Sequence, residues 1–309
     1  MVYNSPSEGK SMSIFEVKIN DQHSLKGNDY RIENPKANLL VFTGMDEYSA
    51  RYARFAGDMN KLGYSVSVLD HFGQGENAKS VDEQEQWPKG AWDMELIALK
   101  NKVDELKKEG KPVYLMGHSM GSFFMQSYLE HYPNTIEKII IMGSNGPGSP
   151  LGLARFLARI TTTNHSWNKT SHFIQKMALG PYTKAIKNAK TPLDWLSYNE
   201  ENVKKYIADP YCGHSNTKGF YVGFTAGMAT LYQTKFKKQI SKDEHIYLVS
   251  GADDPVGNCS KGVKALYQMY QDLGVKDVTL KIYPQMRHEV LNEDKRDEVI
   301  HDLDVFLSK

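Results

Sequence analysis

Gly117-His118-Ser119-Met120-Gly121 is the stretch on which the reading of this chain turns. It follows Val113–Met116, a short apolar run that reads as a strand. It opens a helical pattern from about Gly121 to His131, which Pro133 closes. A serine between two glycines, placed between strand and helix, describes a sharp turn. The backbone there is strained, and bulky neighbours would clash. Such a turn pushes the hydroxyl out over the end of a sheet, and the helix N-terminus behind it favours developing negative charge. The bland alternative is an ordinary glycine-rich turn. The strand-to-helix context favours a nucleophile, Ser119.

Working outward, the pattern alternates. Ser13–Asn20 reads as a strand, and Tyr30–Glu33 as the end of its hairpin partner. Asn38–Thr43 is a buried strand. Tyr52, Phe55, Met59 and Leu62 have helical spacing, with Gly63 as a stop. Tyr64–Leu69 is the next strand, and about Ala91–Glu109 a helix ended by Gly110. Ile136–Met142, His245–Val249 and Val278–Tyr283 are further strands. Gly262–Leu273 and the stretch around Val299, Leu303 and Phe306 are helices. This rhythm predicts an α/β protein with a parallel sheet and helices on both faces.

Between Ser144 and Ile240 the rhythm breaks. The segment opens on Gly146, Pro147, Gly148 and Pro150 and then becomes helical and aromatic. It holds 13 basic against 4 acidic residues, a surplus of nine, so the rest of the 309-residue chain carries a deficit of eight within a total of +1. We therefore expect a core of residues 1–143 and 241–309 interrupted by a helical insertion, 144–240. The near-zero total argues against nucleic acid as a partner. A 40% apolar composition excludes a disordered chain, and a mean hydropathy of −0.53 without long apolar runs excludes a membrane span. Met1–Ser13 lacks a signal-like apolar stretch. Cys212 and Cys259 cannot form a disulfide framework. A cytoplasmic, reduced protein is the expectation.

A serine hydroxyl needs a base, and the base an orienting acid, in the order Ser, Asp or Glu, His for such a turn. His288, in Met286-Arg287-His288-Glu289 after one strand, is the candidate base. Asp253 or Asp254, in Gly251-Ala252-Asp253-Asp254-Pro255 after another, is the candidate acid. Strand ends are where open α/β sheets build their sites. The oxyanion needs two backbone N–H donors. Met120, after the nucleophile, is one. Met45, in Thr43-Gly44-Met45-Asp46-Glu47, is the other, because Gly44 allows close approach. His118 reads as a packing or loop residue. Cys212 and His214 lack the second pair that zinc needs. No motif calls for a metal or a cofactor, and the expectation is none.

Together these residues resemble the monoacylglycerol lipase and lysophospholipase branch of the α/β-hydrolases. The resemblance covers nearly the whole chain. It rests on Thr43-Gly44-Met45-Asp46-Glu47-Tyr48-Ser49-Ala50-Arg51-Tyr52, on Asp70-His71-Phe72-Gly73-Gln74-Gly75, on the turn at Ser119, and on the loops Asp254-Pro255-Val256-Gly257 and Met286–Glu289. Asp194-Trp195-Leu196-Ser197 and Asp209-Pro210-Tyr211-Cys212-Gly213 look like lid segments of bacterial members. The resemblance implies an α/β-hydrolase fold with a helical cap, and a triad of Ser119, Asp254 and His288. It also implies a small acyl ester as substrate, such as a monoacylglycerol or lysophospholipid. Thr43 and Tyr48 depart from the family, which usually has histidine at both positions. The 13 aromatic residues of 144–240 suit a lid over an acyl pocket, although most of them read as that segment's own core. Its charge reads either as solvated surface or as steering toward anionic amphiphiles and anionic lipid surfaces.

Overall fold

The computed structural model describes residues 12–148 and 158–309, so Pro150, Phe156 and most of the polar N-terminal stretch lie outside the described residues. Eight strands are β1 (Met12–Lys18), β2 (Ser24–Tyr30), β3 (Ala37–Phe42), β4 (Tyr64–Leu69), β5 (Val113–His118), β6 (Lys138–Met142), β7 (His245–Gly251) and β8 (Asp277–Tyr283). They form one sheet in the order β1-β2-β4-β3-β5-β6-β7-β8. β1 and β2 are antiparallel at one edge, and β3 to β8 run parallel. The fold is that of an α/β-hydrolase. One element differs from its sequence reading. The hairpin partner ends at Tyr30, and its body is the polar run Ser24–Asp29. Gly27 there has no room for a side chain, because a Cβ would overlap the Val68 carbonyl of β4.

The core strands are largely apolar because both faces are covered. Leu40 and Phe42 of β3, Leu115 of β5, Ile139 and Ile141 of β6 and Leu248 of β7 face one cluster. It also contains residues of α2 (Ala91–Lys107), α3 (Met120–His131) and α8 (Lys261–Asp272). Their alternating neighbours Leu39, Val41, Met116, Ile140 and Val249 face a second cluster with α1 (Ala53–Lys61) and α9 (Arg296–Ser308). Burying each such large side chain contributes ~1.5–3 kcal/mol.

Between β6 and β7 lie α4 (His172–Ala185), α5 (Glu200–Ala208), α6 (Lys218–Met228) and α7 (Thr234–Lys237). Helix α6 has a glycine every fourth residue, and so a side-chain-free stripe. A Cβ on Gly219 or Gly227 would overlap the indoles of Trp167 and Trp92, and one on Gly223 would sit 3.1 Å from Trp87. The helix backbone thus lies directly on three tryptophans. Phe220, Tyr221 and Phe224 consequently join the sheet-face cluster rather than a core of their own segment. Trp195 and Tyr206 form a smaller cluster with Val256, whereas Phe173 is 64% exposed.

Candidate active site

The turn after β5 holds Ser119 at φ 52°, ψ −116°, a left-handed conformation costing ~1–3 kcal/mol for a non-glycine residue. Its flanking glycines are required by contact. A Cβ on Gly117 would overlap the Gly121 carbonyl, and one on Gly121 would overlap the Phe42 carbonyl and lie 2.6 Å from that of Thr43. The Gly121 N–H donates to Thr43 O at 3.0 Å, and the Ser119 N–H to Met142 O at 3.0 Å. Ser119 is thereby fixed at the sheet edge, on a cavity of about 770 Å³.

His288 lines the same cavity. Its Nδ1 lies 3.0 Å from Asp254 Oδ2, and both side chains are buried. Asp254 Oδ1 accepts from the Val256 N–H at 2.9 Å. Asp253 is turned elsewhere, with Oδ2 accepting from the Tyr198 hydroxyl at 2.9 Å. The Nε2 of His288 is buried and has no partner among the described residues. The structure therefore joins His288 to Asp254 and brings Ser119 into their cavity, without a hydrogen bond between Ser119 and His288. Such bonds are often long before substrate binds.

Met45 and Met120 also line the cavity. Their N–H groups have no acceptor among the described residues. The peptide before Met45 is held from both sides. Thr43 O accepts from Gly121 and from His71 Nε2, 2.8 Å away, while the Gly44 N–H donates to Glu47 Oε1 at 2.7 Å. The Nδ1 of His71 in turn lies 2.8 Å from Glu95 Oε2, and both side chains are fully buried. Tyr48 sits away from this contact, its hydroxyl donating to Asp209 at 3.1 Å.

Sequence reasoning missed an ionic cluster beneath these loops. Arg51 bonds Glu47 at 2.5 Å and both oxygens of Glu289 at 2.9 Å. Glu47 Oε1 accepts from Tyr52 at 2.9 Å and from His118 Nδ1 at 3.0 Å, and the second His118 nitrogen donates to His288 O at 3.3 Å. Burial opposes the charged form of His118, but its hydrogen bond to Glu47 and the charges of Glu47 and Glu289 outweigh it and raise its pKa. The cluster thus favours the cationic form of His118. Glu47 is held low: burial works against its charge, but His118 and Arg51 more than compensate. Burial lifts Asp46 to about 7, against its hydrogen bond from Asn216 and with the charge of Glu47. The only prior signal was Glu47 and Arg51 four residues apart.

Elsewhere the cavity wall is largely apolar, including Phe123, Met177, Pro181, Trp195, Phe224 and Met228, with Asn145, Gln175, Asn258 and Lys261 adding polar points. Among the described residues no group of three or more His, Cys, Asp or Glu side chains is placed to hold a metal, and no helix is long and apolar enough to cross a membrane. A largely apolar cavity that also holds an imidazole and a serine suits attack on the carbonyl of an acyl compound.

Residues 33–295 match the family model for serine aminopeptidase, S33 (Hydrolase_4). The chain is 24% identical to human monoglyceride lipase over 287 residues, spanning 89% of this chain and 83% of that one. It is 23% identical to the monoacylglycerol lipase of Mycolicibacterium smegmatis over 282 residues, 87% of each. In fold it is similar to a thermostable carboxyl esterase from Bacillus coagulans solved with glycerol, with a TM-score of 0.85, 24% identity and coverage of 98% and 99%. A soluble variant of the Saccharomyces cerevisiae monoglyceride lipase, solved with a substrate analog, gives a TM-score of 0.74 at 16% identity, covering 99% and 97%.

Proposed function

Because the chain belongs to the serine aminopeptidase S33 (Hydrolase_4) family and is a serine hydrolase, we propose that it cleaves acyl esters of the monoacylglycerol or lysophospholipid class through an acyl-enzyme. Ser119 attacks the ester carbonyl as His288 Nε2 takes its proton. The Met45 and Met120 N–H groups bind the oxyanion. His288 then protonates the leaving alcohol, and next activates the water that releases the fatty acid. Asp254 orients the imidazole and stabilises its cation. No step calls for a cofactor. Residues 144–240 serve as the cap that closes the acyl cavity.

One observation carries this reading: the buried Asp254–His288 pair leaves Nε2 without a partner, and His288 lines the same largely apolar cavity as Ser119. Monoacylglycerol lipase relatives support the substrate class. Release of fatty acid from monoacylglycerols and lysophosphatidylcholine, measured beside p-nitrophenyl esters of two to sixteen carbons, tests it. No preference for the acyl-glycerol or lysophospholipid esters over short esters would overturn the substrate class. Transfer of the acyl group to an added alcohol or amine in preference to water would make the protein an acyltransferase.

The basic surplus of 144–240 supports a transient contact with anionic lipid surfaces. Exposed Phe173 and Ile160, 64% and 60% accessible, lie in that segment with Lys169 and Lys176. Added salt should then depress turnover of anionic micellar substrate much more than turnover of a soluble ester. Equal salt effects would remove the idea.

A further inference from the structure

The short stretch Asp194–Asn199 lines the cavity with Trp195 and Leu196 and bonds both the loop bearing Asp254 and the loop bearing His288. It begins as one turn of 3-10 helix, Asp194–Leu196, and ends as the cap residue of α5. Its bonds are concentrated on the residues that flank the base. The Glu289 N–H donates to Leu196 O at 2.7 Å. Arg287 donates to Asp194 O at 2.6 Å and to Ser197 O at 3.2 Å, and its guanidinium lies 3.9 Å over the Tyr198 ring. Positions 287 and 289 are both tied to this stretch, with His288 between them.

Glu293 strengthens the tie. It is 3% exposed and accepts from the Ser197 hydroxyl at 2.8 Å, from the N–H groups of Tyr198 and Asn199 at 2.9 and 3.3 Å, and from the Arg287 N–H at 2.7 Å. One carboxylate thus fastens the stretch to the loop of the base. Tyr198 fastens it to the other loop, through Asp253. The loop from 284 to 289 lies outside any helix or strand, so these bonds replace the ladder that secondary structure would supply.

We propose that Asp194–Asn199 is a bracket that sets the position of His288 relative to Ser119, with Tyr198 and Glu293 as its positioning residues. The inference rests on the triad reading above. It assigns these two side chains to the alignment of the base rather than to the gating of substrate. An ångström of misplacement at a general base costs on the order of 100-fold.

The experiment measures steady-state kinetics and the rate of Ser119 modification by a fluorophosphonate probe, counted per labelled site. Glu293→Gln should lower kcat by about 10- to 100-fold, with KM changed less than about threefold, and slow labelling in step. Tyr198→Phe keeps the ring over Arg287 but frees Asp253, for a loss of about threefold. Tyr198→Leu loses both contacts and should cost more. A purely structural role would lower the fraction of labelled molecules and the melting temperature, but not the rate per labelled site. Proton NMR gives an independent readout: the downfield signal of the His288–Asp254 hydrogen bond should broaden or shift in the same order. Should Glu293→Gln fail to fold, the tyrosine pair at a 46% exposed site still decides. His288→Ala separates the two readings. Labelling that survives His288→Ala overturns the triad. Labelling lost there but unchanged in all bracket variants overturns the bracket alone.

Discussion

The loops that carry Ser119 and His288 reach the same cavity by different physics. Ser119 is placed by steric exclusion. Gly121 packs against backbone carbonyls at the end of β3 and Gly117 against the carbonyl of Gly121, and the turn can take only one path. The His288 loop is placed by polar bonds to a stretch of chain about ninety residues earlier in sequence. Exclusion is local and written in residue type, so it survives solvent and temperature changes. Polar placement depends on partners folded elsewhere and on their charge. On the proposed triad reading, a site built this way has a rigid nucleophile and an adjustable base.

Breaking the rigid half gives the largest effects. Ser119→Ala should lower turnover by on the order of 10⁴- to 10⁶-fold while the unfolding midpoint stays in place. Retained activity would remove Ser119 from the chemistry. Next, Asp254→Asn should cost about 10⁴-fold in kcat, against less than about tenfold for Asp253→Asn. The reverse ranking in parallel assays would mean that Asp253 orients the base. Gly121→Ala tests exclusion directly. Its Cβ meets the Phe42 and Thr43 carbonyls, and we expect a loss of about 1–3 kcal/mol in urea unfolding.

The smallest effect sharpens the polar half. His118 has a raised pKa in the folded protein, so its ionic contribution is complete below its ordinary value of about 6.5 and is lost as pH rises through the elevated folded value. His118→Gln should therefore lower the melting temperature most in mildly acidic buffer. The gap from the parent protein should narrow on going alkaline. A constant gap across that range would show His118 to be uncharged in the fold.

The same division explains what could be read in advance. The apolar runs Leu39–Phe42, Ile139–Met142 and Ile246–Val249 are legible because a strand covered on both faces must be apolar. β2 escapes notice because its run Ser24–Asp29 is polar, although it is paired on both sides, with β1 and β4. The glycine turn at Ser119 carries its own signature. Adjacent Asp253 and Asp254 do not, since spacing cannot tell two neighbours apart. Only the fold turns one carboxylate to His288 and the other to Tyr198. Arg51 and Glu289 are 238 residues apart, and no local pattern joins them. The glycine stripe of α6 was present in the sequence, but the tryptophans it covers come from Trp87, Trp92 and Trp167.

That seam of glycine on indole has a practical consequence for anyone wishing to retune which acyl groups are accepted under the proposed activity. Phe224 and Met228 project into the cavity from a rod that cannot recede, since its back is already at the limit of approach. Bulk added there reduces the cavity without compensation, whereas Met177, Ala178 and Pro181 line it from α4, where a Cβ on Gly180 would meet nothing nearer than 3.9 Å. Chain-length engineering therefore belongs on α4, with the inner side left as the fixed ruler.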